Sequence, residues 1–207
     1  MDEKALDYLG KIILLGAAAV GKSNMVNQFV NGQFEETYLS TIGINCLDKL
    51  FNFNGEKVKI KFFDTAGQER YDSLSSTVLR KADGAIFVYS ITSRESFDKI
   101  NFWITELQNK GKNSKVLMLI GNKIDLEDER KVSFQEGETK ANEIGCPFME
   151  TSAKTGENIK ESFEKASRIL YLKKSEDENN ISIIPGSFDL QKKTTKGRGC
   201  CGANNNK

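Results

Sequence analysis

Residues 11–23 read K-I-I-L-L-G-A-A-A-V-G-K-S, and residues 24–30 continue N-M-V-N-Q-F-V. The opening six are a short continuous apolar run ending in glycine, the pattern of a strand buried on both faces. Met25, Val26, Phe29 and Val30 then recur at helical spacing. Between strand and helix, Gly16, Ala17, Ala18, Ala19, Val20, Gly21, Lys22 and Ser23 fit G-x-x-x-x-G-K-[ST]. Such a loop turns its backbone N–H groups onto a polyphosphate, its lysine reaches the β- and γ-phosphates, and its hydroxyl can ligate Mg²⁺. Strand, glycine-bounded loop and helix together are the context that this motif requires.

The rest of the chain builds a sheet around that unit. Between residues 44 and 64, Phe51, Phe53, Val58, Ile60 and Phe62 alternate with polar positions around Asn54-Gly55, a type I′ hairpin signal. This predicts one antiparallel strand pair. Residues 85–89 and 116–120 are further buried runs. Helices are predicted between them. Thr92 with Glu95 forms a capping-box pattern before Phe97, Ile100, Ile104 and Leu107, and Ser133 with Glu136 forms another before Ala141 and Ile144. Ile159, Phe163, Ala166 and Leu170 make the last apolar stripe. Strands alternating with helices specify an α/β fold, with a mostly parallel sheet carrying helices on both faces.

The 207 residues suit one domain of about 150–175 residues plus a tail. With 30 basic and 29 acidic residues the net charge is +1, so the chain as a whole carries no global nucleic-acid footprint. The chain contains no histidine, which excludes Ser-His-Asp and Cys-His hydrolysis and H-E-x-x-H zinc sites. Catalysis must then rest on positioning, a metal ion and other groups. Cys46, Cys146, Cys200 and Cys201 show no zinc-site spacing, and a domain of this size needs no disulfide framework, which points to a reducing compartment. The apolar stretch 12–20 is preceded by Asp2, Glu3 and Asp7 where a secretion signal needs positive charge, and it is shorter than the ~20 residues that span a bilayer.

Base identity is carried by Asn122-Lys123-Ile124-Asp125, which follows a buried run. The Asp125 carboxylate can accept from both N1–H and the 2-amino group of guanine, a donor pair that adenine lacks. Phosphate loop and carboxylate together read as a guanine-nucleotide site. Asp64, ending the run 59–63, suits the metal side of the phosphates. Gly67 then lets a backbone N–H approach a γ-phosphate, and Gln68 is suited to orienting water rather than deprotonating it. In an open α/β sheet the loops after successive strands form the ligand crevice.

Over residues 9–172 the chain resembles the Ras superfamily of small GTPases, and within it the Rab family. The resemblance rests on G-A-A-A-V-G-K-S, Y-L-S-T-I-G-I, D-T-A-G-Q-E-R, V-Y-S-I-T-S, G-N-K-I-D-L and E-T-S-A-K. It implies a P-loop NTPase G domain of six strands binding GTP or GDP with Mg²⁺. It also implies that Thr41 is the switch threonine, meeting Mg²⁺ and the γ-phosphate beside Ser23 and Asp64. By the same resemblance Gln68, with Lys22 and Thr41, serves hydrolysis, Phe34 packs edge-on to the guanine, and Tyr38 covers the phosphates. Asn122 ties the base-binding loop to the phosphate loop, and Ser152, Ala153 and Lys154 line the base. Exchange factors, activating proteins, a dissociation inhibitor or escort protein, and effectors acting through 38–46 and 67–82 are the implied partners of a monomer. The chain departs from the family where Cys46 replaces a usual Phe, where Val78-Leu79-Arg80-Lys81 replaces a tyrosine-rich stretch, and where Ala18 stands for serine or glycine.

After Leu172 the composition turns polar and acidic, so residues 173–207 read as a disordered tail behind a short extension, 1–8, and the domain, 9–172. Cys200 and Cys201 follow Lys192, Lys193, Lys196 and Arg198. Paired thiols beside cations fit double prenylation at an anionic membrane, although Asn204 in the fourth place from the end means that no C-a-a-X signal is present. The expected protein is a slow, Mg²⁺-dependent GTPase switch recruiting effectors in vesicle traffic. It is expected on the cytoplasmic face of an intracellular or plasma membrane, cycling with the cytosol. The alternatives are a GTP-holding scaffold without turnover, a protein that stays cytosolic, or a nucleotide kinase. The last leaves 122–125 and 152–154 unexplained and lacks an arginine-rich lid.

Overall fold

A computed structural model describes residues 6–35, 44–65, 72–111 and 114–181. Six strands form one sheet: β1 (Tyr8–Leu15), β2 (Ile44–Phe53), β3 (Glu56–Thr65), β4 (Gly84–Ser90), β5 (Lys115–Asn122) and β6 (Phe148–Thr151). Their order is β2-β3-β1-β4-β5-β6. Only the β2–β3 pair is antiparallel, joined at Asn54 and Gly55, whose φ values of 55° and 90° are those of a type I′ turn. The remaining pairs are parallel, as the alternation of strands and helices predicts.

Period-two side-chain geometry divides β1 between two cores. Ile12 and Leu14 face a cluster with α1 (Lys22–Asn31) and α6 (Ile159–Ile181), in which Met25, Phe29, Phe163 and Ala166 are buried. Ile13 and Leu15 face the opposite cluster with α2 (Asp72–Lys81), α3 (Arg94–Asp98), α4 (Ile100–Lys110) and α5 (Phe134–Ile144). That side is filled by Leu79, Trp103, Leu107 and Ala141. Helices therefore cover both faces, and the parallel strands send their C-terminal ends to one edge.

Helix starts differ in how well the sequence announces them. Ser133 caps α5 with the reciprocal box: its hydroxyl accepts from Glu136 N at 3.3 Å and its N–H donates to Glu136 Oε2 at 2.9 Å. The predicted cap at Thr92 is displaced by one residue. Ser93 has the extended backbone of an N-cap and accepts from Ser96 N at 3.2 Å, while the Thr92 hydroxyl pairs with Ser90 Oγ at 2.8 Å. The predicted single helix is also two, α3 and α4, meeting at Lys99. The helix α6 continues past residue 172 to Ile181, because Lys173, Lys174 and Glu176 are good helix formers. No described helix is long and apolar enough to cross a membrane.

Candidate nucleotide-binding site

The sheet register gathers the predicted residues on the C-terminal edge. Leu14 lies beside Asp64, Ser90 beside Asn122, and Asn122 beside Thr151. The phosphate loop emerges from β1 and enters α1. Its backbone turns through Gly16 (φ 157°), Ala19 (φ 61°) and Gly21 (φ 100°). A Cβ at Gly16 would strike the Val88 carbonyl, and one at Gly21 would strike the Asn122 amide nitrogen. These two glycines are thus required by contact as well as by dihedral. Ala19 holds a left-handed conformation that costs an L-residue roughly 1–2 kcal/mol.

Lys22, only 5 % exposed, folds over the loop, its Nζ donating to Gly16 O at 2.9 Å and to Ala17 O at 2.8 Å. Burial pushes this ammonium down to about 8, and the negative charge of Asp64 partly offsets that. Asp64 is itself buried at the end of β3, and Thr65 is anchored through its hydroxyl to Leu14 O at 2.8 Å. Ser23, on the first turn of α1, is exposed, as are Ala18 and Ala19. A hydroxyl and a carboxylate are hard oxygen donors of the kind Mg²⁺ prefers, so this corner fits that ion. Phe34 is half-buried against the α1–α6 core, and Asn24 Nδ2 holds its neighbour Glu35 at the backbone oxygen, 2.9 Å.

Asn122 joins the two halves of the site. Its Nδ2 donates to Val20 O in the phosphate loop at 2.8 Å. Its Oδ1 accepts from Thr151 Oγ1 and from Ala153 N, both at 3.1 Å. Lys123 takes a left-handed turn (φ 75°) into a 3-10 helix, Ile124–Glu129, whose first turn presents Asp125. The Lys123 ammonium is lowered by partial burial, with Asp125 opposing the shift. Ser152 Oγ donates to Asp125 Oδ1 at 2.6 Å, which fixes the carboxylate plane. Ala153 is buried and Lys154 exposed beside it.

The structure thus brings together Gly16 to Ser23, Asp64, Asn122 to Asp125 and Ser152 to Lys154. Tyr38, Thr41, Gly67, Gln68, Cys200 and Cys201 lie outside the described residues. Sequence reading missed Thr151, whose hydroxyl orients Asn122, and the bond by which the Ser152 hydroxyl holds Asp125.

The family model described as Ras family matches residues 11–172. The chain belongs to the Ras family. Among its Ras-family relatives is the GTP-binding protein ypt2 of Schizosaccharomyces pombe, 36% identical over 97% of this chain and 100% of that protein. Mouse Ras-related protein Rab-37 is 39% identical over 94% of this chain and 87% of its own length. Ras-related protein RABA5b of Arabidopsis thaliana is 40% identical over 87% and 80%. Within the Ras family this is a Rab-type small GTPase, with the six-stranded mixed sheet of the G domain.

Proposed function

We propose that this Ras-family protein is a guanine-nucleotide switch that hydrolyses GTP slowly and engages effectors in vesicle traffic. The observation that carries this is the Asn122 side chain, which bonds the phosphate loop through Val20 and the base loop through Thr151 and Ala153 at once. Base and phosphates are read by one connected frame, with Asp125 aimed at N1–H and the 2-amino group. Lys22 would turn from the Gly16 and Ala17 carbonyls to the β- and γ-phosphates, and Ser152, Ala153 and Lys154 would line the base. Ser23, Thr41 and Asp64 would hold Mg²⁺, which would neutralise negative charge on the phosphates. Thr41 and Gly67 would contact the γ-phosphate, and Gln68 would orient the attacking water, so that GTP orders the segments 38–46 and 67–82 for partners.

Exchange factors, an activating protein, an escort or dissociation inhibitor and effectors complete this cycle. Lipid on Cys200 and Cys201 would hold the protein to a membrane, since two chains anchor stably where one does not. A GTP-holding scaffold is the second reading, favoured by the exposed methyl groups of Ala18 and Ala19 on the phosphate loop. Single-turnover hydrolysis of bound GTP, with and without an activating protein, separates the two. Turnover that Gln68→Leu abolishes supports the switch, and absent turnover in the wild type supports the scaffold.

A further inference from the structure

Among the residues of the segment that presents Asp125, Ile124 at its start packs against the core, and the rest is held by little packing. All six residues of the 3-10 helix Ile124–Glu129 are at least partly exposed, and Leu126 departs from helical dihedrals (φ −108°, ψ 45°). Short 3-10 turns have weak hydrogen-bond geometry of their own. Something else must fix the height and tilt of a base-reading carboxylate on such a support. At its front the tie is Ser152 to Asp125. At its rear stands Arg130.

Arg130 makes five hydrogen bonds, matching the five N–H donors of a guanidinium. Nε and Nη2 donate to the two carboxylate oxygens of Glu127 at 2.7 and 2.6 Å. Nη1 and Nη2 donate to the two of Glu150 at 2.7 and 2.9 Å, and Nη1 also reaches Val132 O at 2.9 Å. Glu150 is the more enclosed partner, its side chain 11% exposed against 63% for Glu127. It sits on β6, paired with Gly121 of β5, and its own carbonyl accepts from Asn158 Nδ2 at 2.8 Å. The chain just beyond Arg130 is stitched in as well. Lys131 N and Val132 N donate to Ile91 O, and Ile91 N donates to Asn122 O.

We propose that Arg130 is a positioning residue for guanine recognition, acting by locking the far end of the Asp125-bearing turn onto Glu150 of the strand that leads into Ser152. This rests on the guanine reading given above. The Arg130 side chain bonds Glu127, Glu150 and Val132, and it would act on the base through them. It sets the register between two loops that both read the base, and the inner bond to Glu150 carries the effect while the exposed bond to Glu127 carries little.

The test compares GTP with ITP, which keeps N1–H but lacks the 2-amino group, by dissociation rates from the full chain. Arg130→Met, which keeps length and loses every donor, is expected to speed GTP release roughly tenfold or more and to shrink the GTP-over-ITP preference roughly tenfold. Glu150→Gln should move both quantities in the same direction, and Glu127→Gln should leave both within about twofold. Arg130→Lys, with three donors for five, should fall between wild type and Arg130→Met. It also keeps the test open if the methionine variant does not fold. Equal losses for GTP and ITP would mean a purely structural role and overturn the proposal, as would a Glu127→Gln effect matching that of Glu150→Gln. A wild type that fails to prefer GTP over ATP overturns the guanine reading itself.

Discussion

The two halves of the candidate nucleotide site are built by different means. The phosphate half is made of main chain: three left-handed or near-extended turns at Gly16, Ala19 and Gly21, and one lysine resting on loop carbonyls. The base half is made of side chains that bond one another, Asn122 with Thr151 and Asp125 with Ser152. A phosphate presents the same charge from every direction, so a ring of N–H dipoles suffices. A base must be told from other bases, and that takes fixed donors and acceptors. The contrast predicts that side-chain changes on the base half alter selectivity, whereas changes on the phosphate half alter affinity for any nucleotide.

The strongest test exchanges one atom. Asp125→Asn replaces an acceptor pair by one donor and one acceptor, so two charge-assisted hydrogen bonds to guanine are lost, together about 4 kcal/mol. GTP binding should weaken on the order of a thousandfold, and xanthine nucleotide should become preferred. Competition between GTP and XTP measures this, and an unchanged ratio would break the division at its base end.

Asn122→Ala attacks the bridge itself. Three bonds go, and buried partners at Val20 O, Thr151 Oγ1 and Ala153 N lose their mate. At about 1 kcal/mol each, nucleotide affinity should drop on the order of a hundredfold. Because the bridge serves both halves, GTP and XTP should suffer alike, as read from dissociation rates.

The third test uses pH on the phosphate half alone. Lys22 falls to about 8 in the free protein, and a bound polyphosphate would restore its proton. Between pH 7 and 9 GTP affinity should therefore fall about tenfold, with uptake of about one proton per nucleotide at the upper end, while guanosine affinity stays level. Stability runs the other way. An unfolded chain with its lysine at the ordinary 10.5 binds more protons than the folded one, so Lys22 makes the free protein more stable as pH rises from about 8 to 10.5. Calorimetry in buffers of differing ionisation heat checks the proton count.

The smallest effect belongs to Ala19→Gly. Relief of a left-handed alanine is worth roughly 1–2 kcal/mol, and the added freedom of the unfolded glycine takes back about 0.4–1. A net gain between about 0 and 1.6 kcal/mol in stability is expected, with base preference untouched. Thermal melting beside a GTP–ITP comparison would detect any leakage from one half of the site to the other.

This division also explains what could be read in advance. The phosphate loop was legible because its backbone needs glycine, and glycine is visible in a sequence. So were the Asn54-Gly55 hairpin and the Ser133–Glu136 cap, where one residue type answers one local geometry. Asp125 was legible because a lone carboxylate is the residue type that a guanine base would call for. Thr151, Arg130 and Glu150 were not, because they act on other side chains across strands, and no spacing along the chain encodes that adjacency. The one-residue shift of the cap from Thr92 to Ser93 has a similar cause: Ser90 competes for the Thr92 hydroxyl. The left-handed backbone at Ala19 left no compositional trace.

The bond from Asn122 to Val20 joins positions 102 residues apart, and it does so where the nucleotide is expected to bind. A ligand that fits only this closed arrangement selects the native state over every open one, stabilising it by RT ln(1 + [L]/Kd). A nucleotide present at a thousand times its dissociation constant then adds about 4 kcal/mol, a large part of the 5–15 kcal/mol that ordinary domains possess. The guanine-nucleotide pool of the cell would in this way govern how long the chain survives against unfolding and proteolysis, as well as which signalling state it occupies.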